Sequence, residues 1–200
     1  MEKTIGAFSK EQFYSSLSTI PNLLCFLRIA ATPVVVLFLF FPGPLPSFCA
    51  ALCFLIASMT DMLDGYLARL QKCESPIGRL LDPLADKILI NSAMIMLIPL
   101  ERIPAWMVVL IIGREVAVTG LRGIAALQNV VIEATQWGKA KTILQCAALV
   151  GLILHYEYFG IDFHILGMIL MWIALVITLA SGVDYFLKFY RESVHEKPTR

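Results

Sequence analysis

Polar surface is what this 200-residue chain lacks: 16% of its residues are charged, 58% are hydrophobic, and mean hydropathy is +0.78. A soluble domain of this length needs far more charge, so the composition excludes one and makes lipid the solvent for most of the chain. Thiol clusters are lacking too. The five cysteines, Cys25, Cys49, Cys53, Cys73 and Cys146, are scattered. Cys49 and Cys53 share a helical face, but no second pair or histidine cluster joins them, which argues against a zinc centre or a disulfide framework. There is no internal repeat and no low-complexity tract. No small-residue cleavage site follows the first apolar run, so that run reads as a retained helix and not as a signal peptide. Net charge is only +1, and no nucleic-acid partner is expected.

What the chain does have is long apolar runs. A bilayer core takes roughly 20 apolar residues per spanning helix. Six segments of that kind fall at about 22–41, 47–71, 77–99, 103–126, 138–156 and 163–187. The expected fold is therefore an all-α membrane protein, a bundle of six transmembrane helices over residues 21–190. A polar segment, 1–20, precedes it and a short tail, 191–200, follows. Phe13, Tyr14 and Leu17 fall at helical spacing, which suits a short interfacial helix, although a disordered tail suits the segment equally. Thr19 with Pro21, and Ser75 with Pro76, read as helix starts, as does Pro104.

Charge asymmetry sets the orientation. One set of loops carries Lys3, Lys10, Lys72, Arg79, Lys139, Lys141, Lys188, Arg191, Lys197 and Arg200. The opposite loops, 42–46, 100–103 and 157–162, hold Arg102 alone. The positive-inside rule then places both termini in the cytoplasm. Arg28, Arg69, Lys87, Arg114 and Arg122 lie inside predicted helices or at their edges, and Arg28 can either snorkel to the interface or reach a lipid-linked phosphate.

Ionisable residues within membrane helices mark function by default. Asp61, Asp64, Gly65, Ala68 and Arg69 share one face of the second helix, and Gly78, Asp82 and Asp86 share one face of the third. A short turn joins the two helices, so their acidic faces can meet, with small residues leaving space for a ligand. Four converging carboxylates repel one another and cannot all stay ionised unaided. Mg2+ or Mn2+, most simply two ions, removes the conflict and can clamp a pyrophosphate for in-line displacement at phosphorus. A purely structural role does not account for four aspartates with matched small residues and an arginine. An ion-coupled transporter is the rival, but it calls for acidic residues spread over several broken helices at mid-membrane.

This spacing, Asp61-x2-Asp64-Gly65-x2-Ala68-Arg69-x8-Gly78-x3-Asp82-x3-Asp86, resembles the signature of the CDP-alcohol phosphatidyltransferase family at every fixed position. The resemblance implies a six-helix membrane bundle, a homodimer, and an active site open to the cytoplasm. It implies that Asp61, Asp64 and Asp82 ligate the metals, that Asp86 lies close enough to ligate and is the general base, and that Gly65, Ala68, Arg69 and Gly78 line the CDP site. Gly113-Arg114-Glu115, Gly120-Leu121-Arg122, Gly138-Lys139-x-Lys141-Thr142-x2-Gln145 and Ile20-Pro21-Asn22-Leu23-Leu24-x3-Arg28 are similar to the bacterial branch that uses sn-glycerol 3-phosphate. That branch implies CDP-diacylglycerol as donor, with Asn22 beside it, phosphatidylglycerophosphate and CMP as products, and the inner membrane as location. Arg114, Arg122, Lys139 and Lys141 are then the expected acceptor-phosphate ligands, a cluster that suits a dianion. Within the family the alternative is cardiolipin synthesis from phosphatidylglycerol. Residues 123–136 lack the tryptophan-bearing turn of many family members, and the N-terminal segment is longer than usual.

Overall fold

The computed structural model describes residues 20–71, 76–127, 137–158 and 160–195, and within them the side chains outside 20–24, 61–83, 126–140 and 192–195. The described chain forms six α-helices: α1 (Ile20–Leu39), α2 (Pro44–Gln71), α3 (Pro76–Leu97), α4 (Ala105–Leu127), α5 (Trp137–Leu154) and α6 (Phe163–His195). Between α5 and α6 lies a two-residue antiparallel hairpin, β1 (Glu157–Tyr158) and β2 (Ile161–Asp162), where the sequence suggests only a loop. The six helices fall on the six expected segments. The last runs beyond its expected end at 187 to His195, because no glycine or proline interrupts it there and Lys188 pairs with Asp184 one turn back at 2.8 Å. The suggested interfacial helix and the Thr19 and Ser75 caps fall outside the described residues.

The helix starts have local causes. Proline occupies the first position of α2 and of α3, where its missing N–H costs nothing. Asp162 caps α6: its Oδ1 accepts the backbone N–H groups of His164 at 2.9 Å and Ile165 at 3.1 Å.

Packing divides the bundle into two ends. Val35 and Leu39 of α1, Phe54 of α2, Met94 and Leu97 of α3, Met107 and Ile111 of α4, Leu149 and Leu152 of α5 and Met171 of α6 form one buried apolar cluster. In antiparallel helices these positions all fall at the end away from the aspartates. Every helix also turns large apolar side chains outward, among them Leu37, Ile56, Ile95, Val109, Ile143 and Val176. Such a surface is what a lipid environment requires and what water penalises. Residues 163–191, within α6, contain an 18-residue stretch of mean hydropathy 2.4 and form the one described helix that is long and apolar enough to cross a membrane by itself. Cys25–Leu39, Pro44–Thr60 and Lys141–Leu154 are shorter apolar stretches.

At the apolar end Arg102 acts as a clamp. It is buried, and its guanidinium donates to Ile153 O at 2.7 Å and to Ser47 Oγ at 3.1 Å while lying 5.7 Å from the Tyr156 ring centroid. One side chain thus satisfies a carbonyl at the C-terminus of α5 and ties it to the start of α2. Beside it, His155 Nδ1 and His164 Nδ1 are 3.2 Å apart. Burial, then Arg102, then His164 pull the His155 imidazole below the usual histidine range, so its neutral form is favoured.

Among the described residues, α5 and α6 approach each other very closely. A Cβ built on Gly167 would lie 2.6 Å from Leu152 N, and one on Gly151 would lie 2.8 Å from Gly167 Cα. Backbone meets backbone there, as between membrane helices paired through small residues. Gly167→Leu is expected to destabilise the protein by about 3 kcal/mol or to prevent folding, whereas Gly123→Ala, with open space around it, should leave stability unchanged or slightly raised. Thermal unfolding in detergent micelles measures both.

Candidate active site

The acidic motif occupies the end opposite the apolar core. Asp61, Asp64, Gly65, Ala68 and Arg69 lie in the C-terminal half of α2, and Gly78, Asp82 and Asp86 lie in the N-terminal half of α3. Among the described residues α1 packs along both α2 and α3, while those two touch each other only lightly. A shared neighbour therefore holds the acidic helices. The side chains of Asn22, Asp61, Asp64, Gly65, Ala68, Arg69, Gly78, Asp82 and Lys139 lie outside the described ones. Among the described residues no three potential ligands form a metal cluster. Asp86 is half-buried, between buried Ala85 and Leu89.

The neighbouring cations are described in detail, and they separate into two groups. Arg114 and Arg122 share a face of α4, as expected, and that face meets α6. Arg114 donates from Nη2 to Ser181 Oγ at 2.7 Å, and its stem lies across Gly182, where an added Cβ would come within 2.9 Å of Arg114 Cγ. Arg122 sits 5.6 Å from the ring centroid of buried Tyr185. Beside them a cavity of about 270 Å³ opens between α4 and α6, walled by Val118, Leu121, Leu179, Val183 and Phe186. Arg114 Nε is buried at its edge without a hydrogen-bond partner.

The second group meets the adjoining face of α4. Lys141, on α5, is buried and pairs with Glu115 at 3.1 Å; their side chains are 8% and 13% exposed. That finding excludes a role for Lys141 as a mere surface anchor. Lys87, next to Asp86 on α3, donates to Thr119 Oγ1, and Thr119 donates to Glu115 O at 2.7 Å. Gln145, one turn beyond Lys141, is buried with its Nε2 3.6 Å from Met94 Sδ. Arg28, for its part, is buried and does not snorkel.

Residues 18–180 match the family model described as CDP-alcohol phosphatidyltransferase. The chain belongs to the CDP-alcohol phosphatidyltransferase family. Among its relatives in that family, a Bacillus subtilis protein named CDP-diacylglycerol–glycerol-3-phosphate 3-phosphatidyltransferase is 38% identical over 181 residues, covering 84% of this chain and 94% of its own. A protein of the same name from Rickettsia bellii is 39% identical over 168 residues, covering 84% and 93%. A probable phosphatidylglycerophosphate synthase of Mycobacterium tuberculosis is 36% identical over 179 residues, covering 88% and 84%.

Glu115, Thr119, Lys87, Ser181 and Tyr185 received no role from the sequence. Only the i, i+4 spacing of Glu115 and Thr119 hints at a shared turn. The pairing with Lys141 and Lys87 depends on how three helices meet. Lys141→Met is expected to cost about 3–5 kcal/mol by stranding a buried carboxylate, and the double variant Glu115→Leu/Lys141→Met should recover most of that loss. Unfolding midpoints of the two variants provide the test.

Proposed function

We propose that this family member transfers the phosphatidyl group of CDP-diacylglycerol to sn-glycerol 3-phosphate, giving phosphatidylglycerophosphate and CMP in phospholipid biosynthesis. The observation that carries the proposal is the match, along almost their whole length, to relatives named for that reaction. Half-buried Arg114 and exposed Arg122 on α4, with buried Lys141 on α5, support it, since a dianionic acceptor needs cations and a neutral alcohol such as choline does not.

The donor set fits hard divalent cations, because four carboxylates offer only oxygen ligands. Asp61, Asp64, Asp82 and Asp86 would hold Mg2+ or Mn2+, most simply two ions. When bound, the metal supplies charge stabilisation at the pyrophosphate and at the departing CMP. Asn22, Gly65, Ala68, Arg69 and Gly78 border the donor, the small residues leaving room and Arg69 facing phosphate. Asp86 accepts the proton of the acceptor hydroxyl as that oxygen attacks the β-phosphorus. An aspartate is a weak base near neutral pH, so positioning and electrostatics carry most of the barrier reduction. Arg114, Arg122, Lys139 and Lys141 bind the acceptor phosphate.

In this reading the six helices all span the inner membrane. The outward apolar residues on each helix support that arrangement. Both termini and the aspartate end face the cytoplasm, where the basic loops lie. The protein works as a homodimer.

The test is an acceptor comparison. Purified protein with CDP-diacylglycerol should release CMP when glycerol 3-phosphate is added and give no release above background with phosphatidylglycerol. Release with phosphatidylglycerol alone would assign cardiolipin synthesis instead.

A further inference from the structure

Building on the glycerol 3-phosphate reading, we propose that Lys87 and Lys141 form a two-lysine clamp on the acceptor's phosphate, set in place by the Glu115–Thr119 turn of α4. Two lysines from two different helices are fixed by one turn of a third. Lys141 comes from α5 and is held by the Glu115 carboxylate at 3.1 Å. Lys87 comes from α3 and is held by the Thr119 hydroxyl. The direction of each bond in this chain is determined. Thr119 gives its only hydroxyl proton to Glu115 O at 2.7 Å, which leaves its oxygen lone pairs for the Lys87 ammonium.

Lys141 lies within Coulombic range of Glu115, Arg114 and Lys87, so three cations gather around this turn of α4. Cations gathered in this way favour a bound anion. A phosphate dianion is the anion that the proposed reaction supplies. Lys87 spends one of three ammonium donors on Thr119, so two remain for phosphate oxygens.

Position favours the lysines over the arginines for the contact nearest the chemistry. Lys87 adjoins Asp86 in the chain, whereas Arg114 and Arg122 are turned toward Ser181 and Tyr185 of α6. In this arrangement Lys87 is a phosphate-binding residue, and Glu115 and Thr119 are positioning residues that act through the lysines. The clamp would hold the acceptor by its phosphate, with its hydroxyl directed to Asp86.

Steady-state kinetics of the full-length protein in mixed micelles, with glycerol 3-phosphate and CDP-diacylglycerol varied separately, test the clamp. Lys87 and Thr119 are the positions to change, because neither breaks the buried Glu115–Lys141 pair. Loss of a charge-assisted hydrogen bond predicts that Lys87→Met raises the KM for glycerol 3-phosphate about tenfold or more, with Lys87→Arg intermediate. The KM for CDP-diacylglycerol should stay within about twofold, since uniform donor binding is untouched. Thr119→Val should raise the acceptor KM several-fold, and Thr119→Ser should restore it; a hydroxyl with only a packing role would not show that rescue. If Lys87→Met proves too inactive to measure, the Thr119 pair decides the question. An unchanged acceptor KM in both Lys87→Met and Thr119→Val, with wild type active on glycerol 3-phosphate, overturns the clamp and leaves the proposed reaction standing. A rise in the donor KM equal to that of the acceptor also overturns it. A wild type that gives no CMP with glycerol 3-phosphate overturns both.

Discussion

A charge inside an apolar helix bundle must be met by an opposite charge, by hydrogen bonds or by a bound ion, and the arrangement of this protein follows from that constraint. At the apolar end, among the described residues, Arg102 is the buried charge, and a carbonyl, a hydroxyl and an aromatic ring surround it. At the other end charges are too many to be absorbed singly. Glu115 answers Lys141 and Thr119 answers Lys87, while Arg114 and Arg122 find Ser181 and Tyr185 on α6. The acidic motif on α2 and α3 adds four carboxylates at the same end. Carboxylates and cations gathered at one end suit a reaction that brings divalent metal and phosphate together.

Division of the bundle into two ends gives each a separate task. The tight α5–α6 contact at Gly151 and Gly167 and the buried apolar cluster provide rigidity away from the chemistry. With that end fixed, α2 and α3 need not pack closely on each other, since α1 supports both. Functional groups carried on helices of a rigid frame keep their geometry better than groups on loops.

Much of this was legible in the sequence. Helix positions were readable because apolar runs bounded by proline, glycine and charge leave little choice in lipid, and the aspartate spacing alone indicates the family. Other features were not readable. Glu115 and Lys141 are separated by 26 positions and Lys87 and Thr119 by 32, so no periodicity links them; only the meeting of α3, α4 and α5 does. Arg28 left two placements open, snorkelling to the interface or reaching a lipid-linked phosphate, and its side chain is buried among the helices. The β1–β2 hairpin escaped notice since two-residue strands carry no alternation to detect. Arg102 stood out in the sequence only as an exception to the charge asymmetry, and its role as a clamp required the three elements it joins.

The account depends most on the claim that the four aspartates act by holding divalent metal. The direct measurement is the rate of CMP release from CDP-diacylglycerol and glycerol 3-phosphate as free Mg2+ is titrated from chelator upward, in wild type and in Asp61→Asn. The account predicts no release in chelator, recovery with Mg2+ or Mn2+, and no recovery of Asp61→Asn at any metal concentration. Turnover that persists undiminished in chelator would contradict it.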